Sequence, residues 1–277
     1  MINTVLAVTL AAVSLIDANV QRVNDRRSPG PFAQLELVLE LPKIKDADVA
    51  ASRVTVQAAT DETGGDLVDH DHEPMLNENF RGRASDGSTP ATISVTLKNP
   101  ARAATKVTEV RGEIELYMPS KDPNSVAEVP KFLSFSGKPI AHKALKANGV
   151  EIALISKAQL DAEKKKMADA KRKGYAADGY EGESLDQMMS SYLESLLTLE
   201  ASDLVVRVKD PNKRIQDIAY VDAAGEVKRV TTRDEEGLTR LSTWGEVPQP
   251  DWKLRVNMIT AKNMVKHAFV VKDVPLP

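Results

Sequence analysis

Four leucines at alternate positions, Leu35, Leu37, Leu39 and Leu41, are interleaved with Gln34, Glu36, Val38 and Glu40 and stop at Pro42. In an extended chain a spacing of two sends the leucines to one face and the glutamates to the other, so the segment reads as a strand with one buried face. Sheets with one wet face pair antiparallel. The same alternation returns at Val54 and Val56, at Ile93, Val95 and Leu97, and at Ile114, Leu116 and Met118. Turn sequences such as Asp61-Glu62-Thr63-Gly64-Gly65 separate these runs, and no helical run lies between them, which argues against βαβ units.

The second half restarts at Phe132–Phe135 and at Ile152 and Leu154. It then changes character. Residues 156–173 are rich in Ala, Lys, Asp and Glu and suit an exposed helix, and 174–183 reads as a flexible connection. Residues 184–199 predict a helix, with Ser184 and Gln187 at capping-box spacing and one apolar stripe through Leu185, Met188, Met189, Tyr192, Leu193, Leu196 and Leu197. Strand patterns resume over 204–208, 215–221, 227–232, 254–258 and 268–271, with Asp222-Ala223-Ala224-Gly225 as a hairpin turn. The stretch Lys121–Pro130 carries two prolines and reads as a linker. The expected fold is mainly β: two antiparallel, immunoglobulin-like sandwich halves, 1–130 and 131–277. The second half carries a helical insert at 156–201, and without it roughly 100 residues remain, the size of such a sandwich.

The apolar run Val5–Ile16 fits two readings, a strand or the core of a signal peptide, and is too short to span a membrane. No Lys or Arg precedes it and no Ala-x-Ala pattern follows, which favours the strand.

Composition removes several chemistries. The chain has no cysteine, so disulfides, thiolate catalysis, Fe–S clusters and Cys-ligated zinc are excluded. A net charge of −3 provides no positive field for phosphate backbones, so no nucleic-acid partner is expected. Aromatics make up 4% and leave little material for base-stacking platforms. The Gly-x-Ser-x-Gly, P-loop, Gly-x-Gly-x-x-Gly and His-Glu-x-x-His signatures are all missing.

Three stretches, Arg53–Leu67 (RVTVQAATDETGGDL), Val95–Met118 (VTLKNPARAATKVTEVRGEIELYM) and Phe269–Pro277 (FVVKDVPLP), resemble a group of uncharacterised bacterial proteins. The resemblance implies an exported, β-sandwich-rich protein. It implies no activity, because its motifs are strand and turn patterns.

Two places carry side chains suited to a site. In the run Asp66–Glu73, His70 and His72 share one face of an extended chain, with Asp69 and Asp71 on the other. A His-x-His pair supplies two of a zinc site's ligands, and the carboxylates are the oxygens calcium takes. The bland alternative is a solvated acidic loop. Trp244 and Trp252 bracket a loop with two prolines, as sugar- or peptide-gripping rings or as core anchors. The basic runs Lys164-Lys165-Lys166 and Lys171-Arg172-Lys173 read as a solvated helix face.

The leading expectation is a non-enzymatic module outside the cytoplasm (periplasm, cell surface or secreted) that binds a protein or a surface polysaccharide. The alternatives are a metal-binding protein or metal-dependent hydrolase centred on His70 and His72, and a cytosolic scaffold docking through helix 184–199.

Overall fold

The structure is a computed structural model and describes residues 13–21, 34–78, 89–196, 198–235 and 237–276. It is mainly β, with four antiparallel sheets and few helices. The first strands are β1 (Ser14–Gln21), β2 (Gln34–Lys45), β3 (Ala51–Asp61), β4 (Asn77–Glu78), β5 (Pro90–Lys98) and β6 (Lys106–Tyr117). Next come β7 (Val126–Pro130), α1 (Lys143–Ala147), β8 (Glu151–Leu154), α2 (Lys157–Ala177) and α3 (Gly182–Ser195). The chain continues through β9 (Leu204–Lys209), β10 (Ile215–Val221), β11 (Val227–Arg229) and β12 (Thr231–Glu235). It ends with β13 (Leu238–Ser242), β14 (Lys253–Met258) and β15 (Met264–Pro275).

The chain divides into two compact units, one up to Asp122 together with Ala261 onward, the other Pro123–Thr260. Unit 1 contains a sheet ordered β1-β2-β5 and a sheet ordered β15-β6-β3-β4. The leucine stripe of β2 is buried, as its spacing requires. It meets Ala91, Ile93, Val95 and Leu97 of β5, and Val107, Val110, Ile114 and Leu116 of β6, in one core closed by Phe269 of β15. Each fully buried leucine contributes about 1.5–3 kcal/mol. Gly112 in β6 is a structural necessity. A Cβ there would collide with the Thr55 carbonyl oxygen and lie 2.9 Å from the Phe269 ring. The β3 bulge between Val56 and Ala58 sits beside it. At the end of β3 the buried Asp61 carboxylate ties two loops together. Its Oδ1 accepts from the Thr63 N–H (2.9 Å), the Thr63 hydroxyl (2.7 Å) and the Gly65 N–H (2.9 Å), while Oδ2 accepts from the Ala101 N–H (2.9 Å). These donors, the Ala101 amide foremost, hold its pKa down to about 2.

Unit 2 contains sheets ordered β11-β10-β14-β7 and β12-β13-β9-β8. Its core is built around an aromatic stack: Phe132 lies 5.2 Å from Tyr220, and Tyr220 lies 6.2 Å from Trp252. Val206 faces that core, so its neighbour Val205 faces the opposite side of β9. There Val205 and Leu238 join Leu160, Met167, Tyr192 and Leu196 in a smaller apolar cluster. The helical insert thus covers the outer face of one sheet of its own unit, and the α3 stripe is spent partly on that contact.

Several expectations are corrected. The capping box is at Ser156 and Gln159, opening α2, whereas α3 starts at Gly182 after an N-cap, Glu181, that makes no side-chain cap. Alanine, lysine and glutamate favour the helix, which carries α2 through Gly174 to Ala177 with little apolar surface. The stretch read as a linker contains β7, and Phe132–Phe135 is a 3-10 turn. Where the sequence suggested halves divided at 130/131, β7 instead pairs with β14 inside unit 2, and the C-terminal strand β15 pairs with β6 along its length. Strand periodicity names a strand and its buried face but not its partner. Of the run Val5–Ile16, residues 5–12 lie outside the described residues, and Ser14–Ile16 belong to β1.

Candidate functional site

Among the described residues, unit 1 leaves two strand edges open beside each other. β5 pairs only with β2 among the described residues. β3 pairs with β6 on one side; on the other it meets β4 at Ala51 and Ser52, and Asp66 at Thr60. Between those points, residues 53–58 have no second strand partner among the described residues. Leu67 closes one end of the gap: its N–H donates to the Ala59 carbonyl (2.9 Å) and its carbonyl accepts from the Lys98 N–H (2.8 Å). The chain from Val68 onward then runs across the gap and rejoins β3 at β4.

A cleft of about 880 Å³ results. Val54, Val56, Val68 and Pro74 line it with apolar side chains over the buried Ile93 and Val95, and Ser94 and Thr96 line the β5 edge. Asp69, His70, His72 and Glu73 lie along the crossing segment, followed by Met75, which is 73% exposed.

The structure therefore places His70, His72 and Asp69 on the wall of one cleft, but it does not gather them around an ion. His70 Nε2 lies 2.9 Å from Asp66 Oδ2, and His72 Nδ1 lies 2.8 Å from Asp69 Oδ2. Asp66 also accepts from the Val68 N–H (3.0 Å), and Asp69 from the Asp71 N–H (3.1 Å). The Val68 amide first and His70 second hold the Asp66 carboxyl below the usual carboxylate range. His72 and then the Asp71 amide do the same for Asp69. A continuous strand would have sent both imidazoles to one face, but 67–76 is not a strand, and each ring turns to its own carboxylate. Among the described residues no three His, Asp or Glu side chains are grouped to hold a metal ion. The Asp71 side chain is exposed. Chemically the wall is two hydrogen-bonded His–Asp pairs at a wet rim, with surplus negative charge from Asp71 and Glu73.

The other two histidines stand apart from this wall. His142 caps α1, accepting the Ala144 N–H at Nδ1 (3.2 Å), and burial lowers its pKa. His267 sits on β15, and burial lowers its pKa too.

The tryptophans separate. Trp252 is a core residue at 8% exposure, while Trp244 is 82% exposed with φ +56°, its indole N–H donating to Thr231 Oγ1 (2.8 Å). Sequence reasoning missed the open edges. The alternation of Thr92, Ser94 and Thr96 with Ile93 and Val95 marks a strand, but whether that strand is an edge depends on pairing across distant segments.

Among the described residues no helix is long and apolar enough to cross a membrane. In comparisons with known proteins, no family model, no curated protein and no solved structure matches this chain.

Proposed function

We propose that the chain is a non-enzymatic interaction protein acting outside the cytoplasm, and that unit 1 is an immunoglobulin-like sandwich that captures an extended segment of a partner protein. Lettered along the chain, its strands run A, B, C, C′, E, F and G, giving sheets A-B-E and G-F-C-C′. That is an immunoglobulin-type order, with unit 2 inserted between the last two strands. Unit 2 has a different order, its first strand β7 pairing antiparallel with its last, β14, so for it the reading stays at two packed four-stranded sheets.

The observation that carries the reading is the pair of open edges around an apolar-floored cleft. The Lys98 N–H points away from β2, toward Leu67, and strand alternation turns the Thr96 and Ser94 amides the same way. A strand laid along β5 would gain main-chain hydrogen bonds, and its alternate side chains would enter the apolar floor. The rim carries Asp66, Asp69, Asp71 and Glu73 against Lys98, so the favoured segment bears Lys or Arg. The absence of cysteine suits an oxidising compartment, where a stray thiol would cross-link.

The test is selection of random peptides displayed on phage against the whole protein, counter-screened on Ser94→Pro. That substitution removes an outward amide on an edge strand, where proline is tolerated. Enriched peptides should alternate apolar residues, carry Lys or Arg, and lose about ten-fold or more in affinity for the variant. Peptides that bind both proteins equally would refute strand addition. Binding on a glycan array without peptide enrichment would transfer the cleft to a surface polysaccharide.

A further inference from the structure

The helical insert of unit 2 carries a second cavity, about 410 Å³, between α2 and α3. Met167, Ala170 and Gly174 of α2 form its base, Tyr192 of α3 faces them, and Glu163, Lys166 and Lys171 border it. Positions 167, 170 and 174 recur at helical spacing, so the three share one face of α2.

The cations along this groove are not neutralised in the usual way. Lys171 Nζ sits 5.0 Å from the Tyr175 ring centre and 5.7 Å from that of Tyr192, and it has no carboxylate partner among the described residues. Lys166 reaches Glu163 only at 4.0 Å, and Glu163 is already committed to Arg207 at 2.9 Å. Glu163 shares its two oxygens between Arg207 and Lys166, which leaves Lys171 as the ammonium at this floor with no carboxylate partner among the described residues.

Gly174 is the second clue. It lies within α2 at negative φ, and a Cβ added there would meet no atom within 4 Å. Packing does not ask for glycine here, and a helix loses about 0.5–1 kcal/mol by having one. What the missing side chain does is keep the groove floor open opposite Tyr192.

We propose that this groove binds a small amphiphilic organic anion, with a carboxylate or similar head held by Lys166 and Lys171 and an apolar body lying over Met167, Ala170 and Gly174 against the Tyr192 ring. The volume suits a ligand of modest size. The two tyrosine rings hold the Lys171 ammonium at the groove rim before any ligand arrives, which lowers the entropy lost on binding. The site belongs to unit 2 and is independent of the cleft in unit 1.

The experiment uses the full chain and the fluorescent anion anilinonaphthalenesulfonate, displaced by decanoate or by decyltrimethylammonium. Decanoate should displace the probe and the cationic amphiphile should not. Lys171→Gln should weaken probe and decanoate binding about five-fold, the scale of one partly exposed charge contact. Gly174→Leu should abolish binding while the far-UV circular dichroism and melting midpoint hold or rise. Should Gly174→Leu fold poorly, the surface pair Lys166→Gln with Lys171→Gln carries the test, because neither side chain is buried. Equal displacement by both amphiphiles, or probe binding unchanged in these variants, would overturn the proposal.

Discussion

Unit 1 and unit 2 enclose their cores by different means. Unit 1 relies on aliphatic alternation: the leucines of β2 and the branched side chains of β5 and β6, with Phe269 the one aromatic of that cluster among the described residues. Unit 2 places three aromatics, Phe132, Tyr220 and Trp252, at its centre and adds a helical pair outside one sheet. Unit 1 is also discontinuous in sequence, closed by a strand that arrives after the whole of unit 2. An aliphatic core of matched alternating strands needs no single anchor, so it tolerates a break in the chain wherever two strand ends lie together. The aromatic core concentrates its stability in a few side chains.

The strongest way to break this comparison is to separate the units. Tyr117 and Met264 are direct cross-strand partners, their Cα atoms about 5 Å apart. An Asn-Gly turn in place of residues 118–263 should therefore give a folded unit 1, and residues 123–260 should fold alone, since Val126 and Asn257 also pair. Each should melt cooperatively by circular dichroism, with the helical signal confined to unit 2. A shortened unit 1 that stays unfolded would show that its core depends on unit 2.

The next test stays within the intact chain. Both tryptophans lie in unit 2, so tryptophan fluorescence follows that unit alone. Trp252→Phe should leave a cavity beside Tyr220 and lower the unit 2 denaturation midpoint, at a cost of about 1–3 kcal/mol. Leu37→Ala should cost unit 1 about 2–5 kcal/mol and leave the fluorescence midpoint in place while an earlier loss of strand signal appears. Coincident shifts in both signals would mean that the units unfold as one.

The same contrast explains what could be read in the sequence. Aliphatic alternation is a local pattern, so β2, β5 and β6 and their buried faces were legible from Leu35–Leu41, Ile93–Leu97 and Ile114–Met118. The return of β15 to β6 was not, because its partner lies about 150 residues away and no local period encodes that. At the candidate site, His70, His72 and Asp69 were legible as a cluster, and the structure puts them on a cleft wall. The cleft itself comes from two edges unpaired among the described residues, and its histidines turn to Asp66 and Asp69 because the segment leaves the extended conformation. Trp252 shows the same limit in reverse: sequence gave it two roles, and only the packing around Tyr220 selects the core.

Acid sharpens the comparison. Asp61 sits in unit 1 with a pKa of about 2 against 3.8 when unfolded. Between those values the unfolded state binds the extra proton, so the stability this group confers is full above about pH 4 and is lost as pH falls through 2. The shift corresponds to roughly 2 kcal/mol. Asp61→Asn should lower the urea midpoint of unit 1 at pH 5, read by circular dichroism, and flatten its decline toward pH 2. An unchanged acid slope in the variant would remove Asp61 as the titrating group.

The smallest expected effect runs against the usual sign. The Tyr220 ring is held between Phe132 and Trp252, yet its hydroxyl is buried with no hydrogen-bond partner among the described residues. Burial first, and the charge of Asp203 second, push its ionisation well above the ordinary phenol range. A buried hydroxyl without a partner forfeits its hydration on folding. Tyr220→Phe removes that loss and keeps the stack, so it should raise the unit 2 urea midpoint by the equivalent of about 1 kcal/mol, followed by tryptophan fluorescence. A fall would mean that the hydroxyl is satisfied in solution, with Asp203 Oδ1, another buried atom lacking a partner, the first group to examine. The aromatic core would then owe part of its stability to a polar link that the aliphatic core of unit 1 does without.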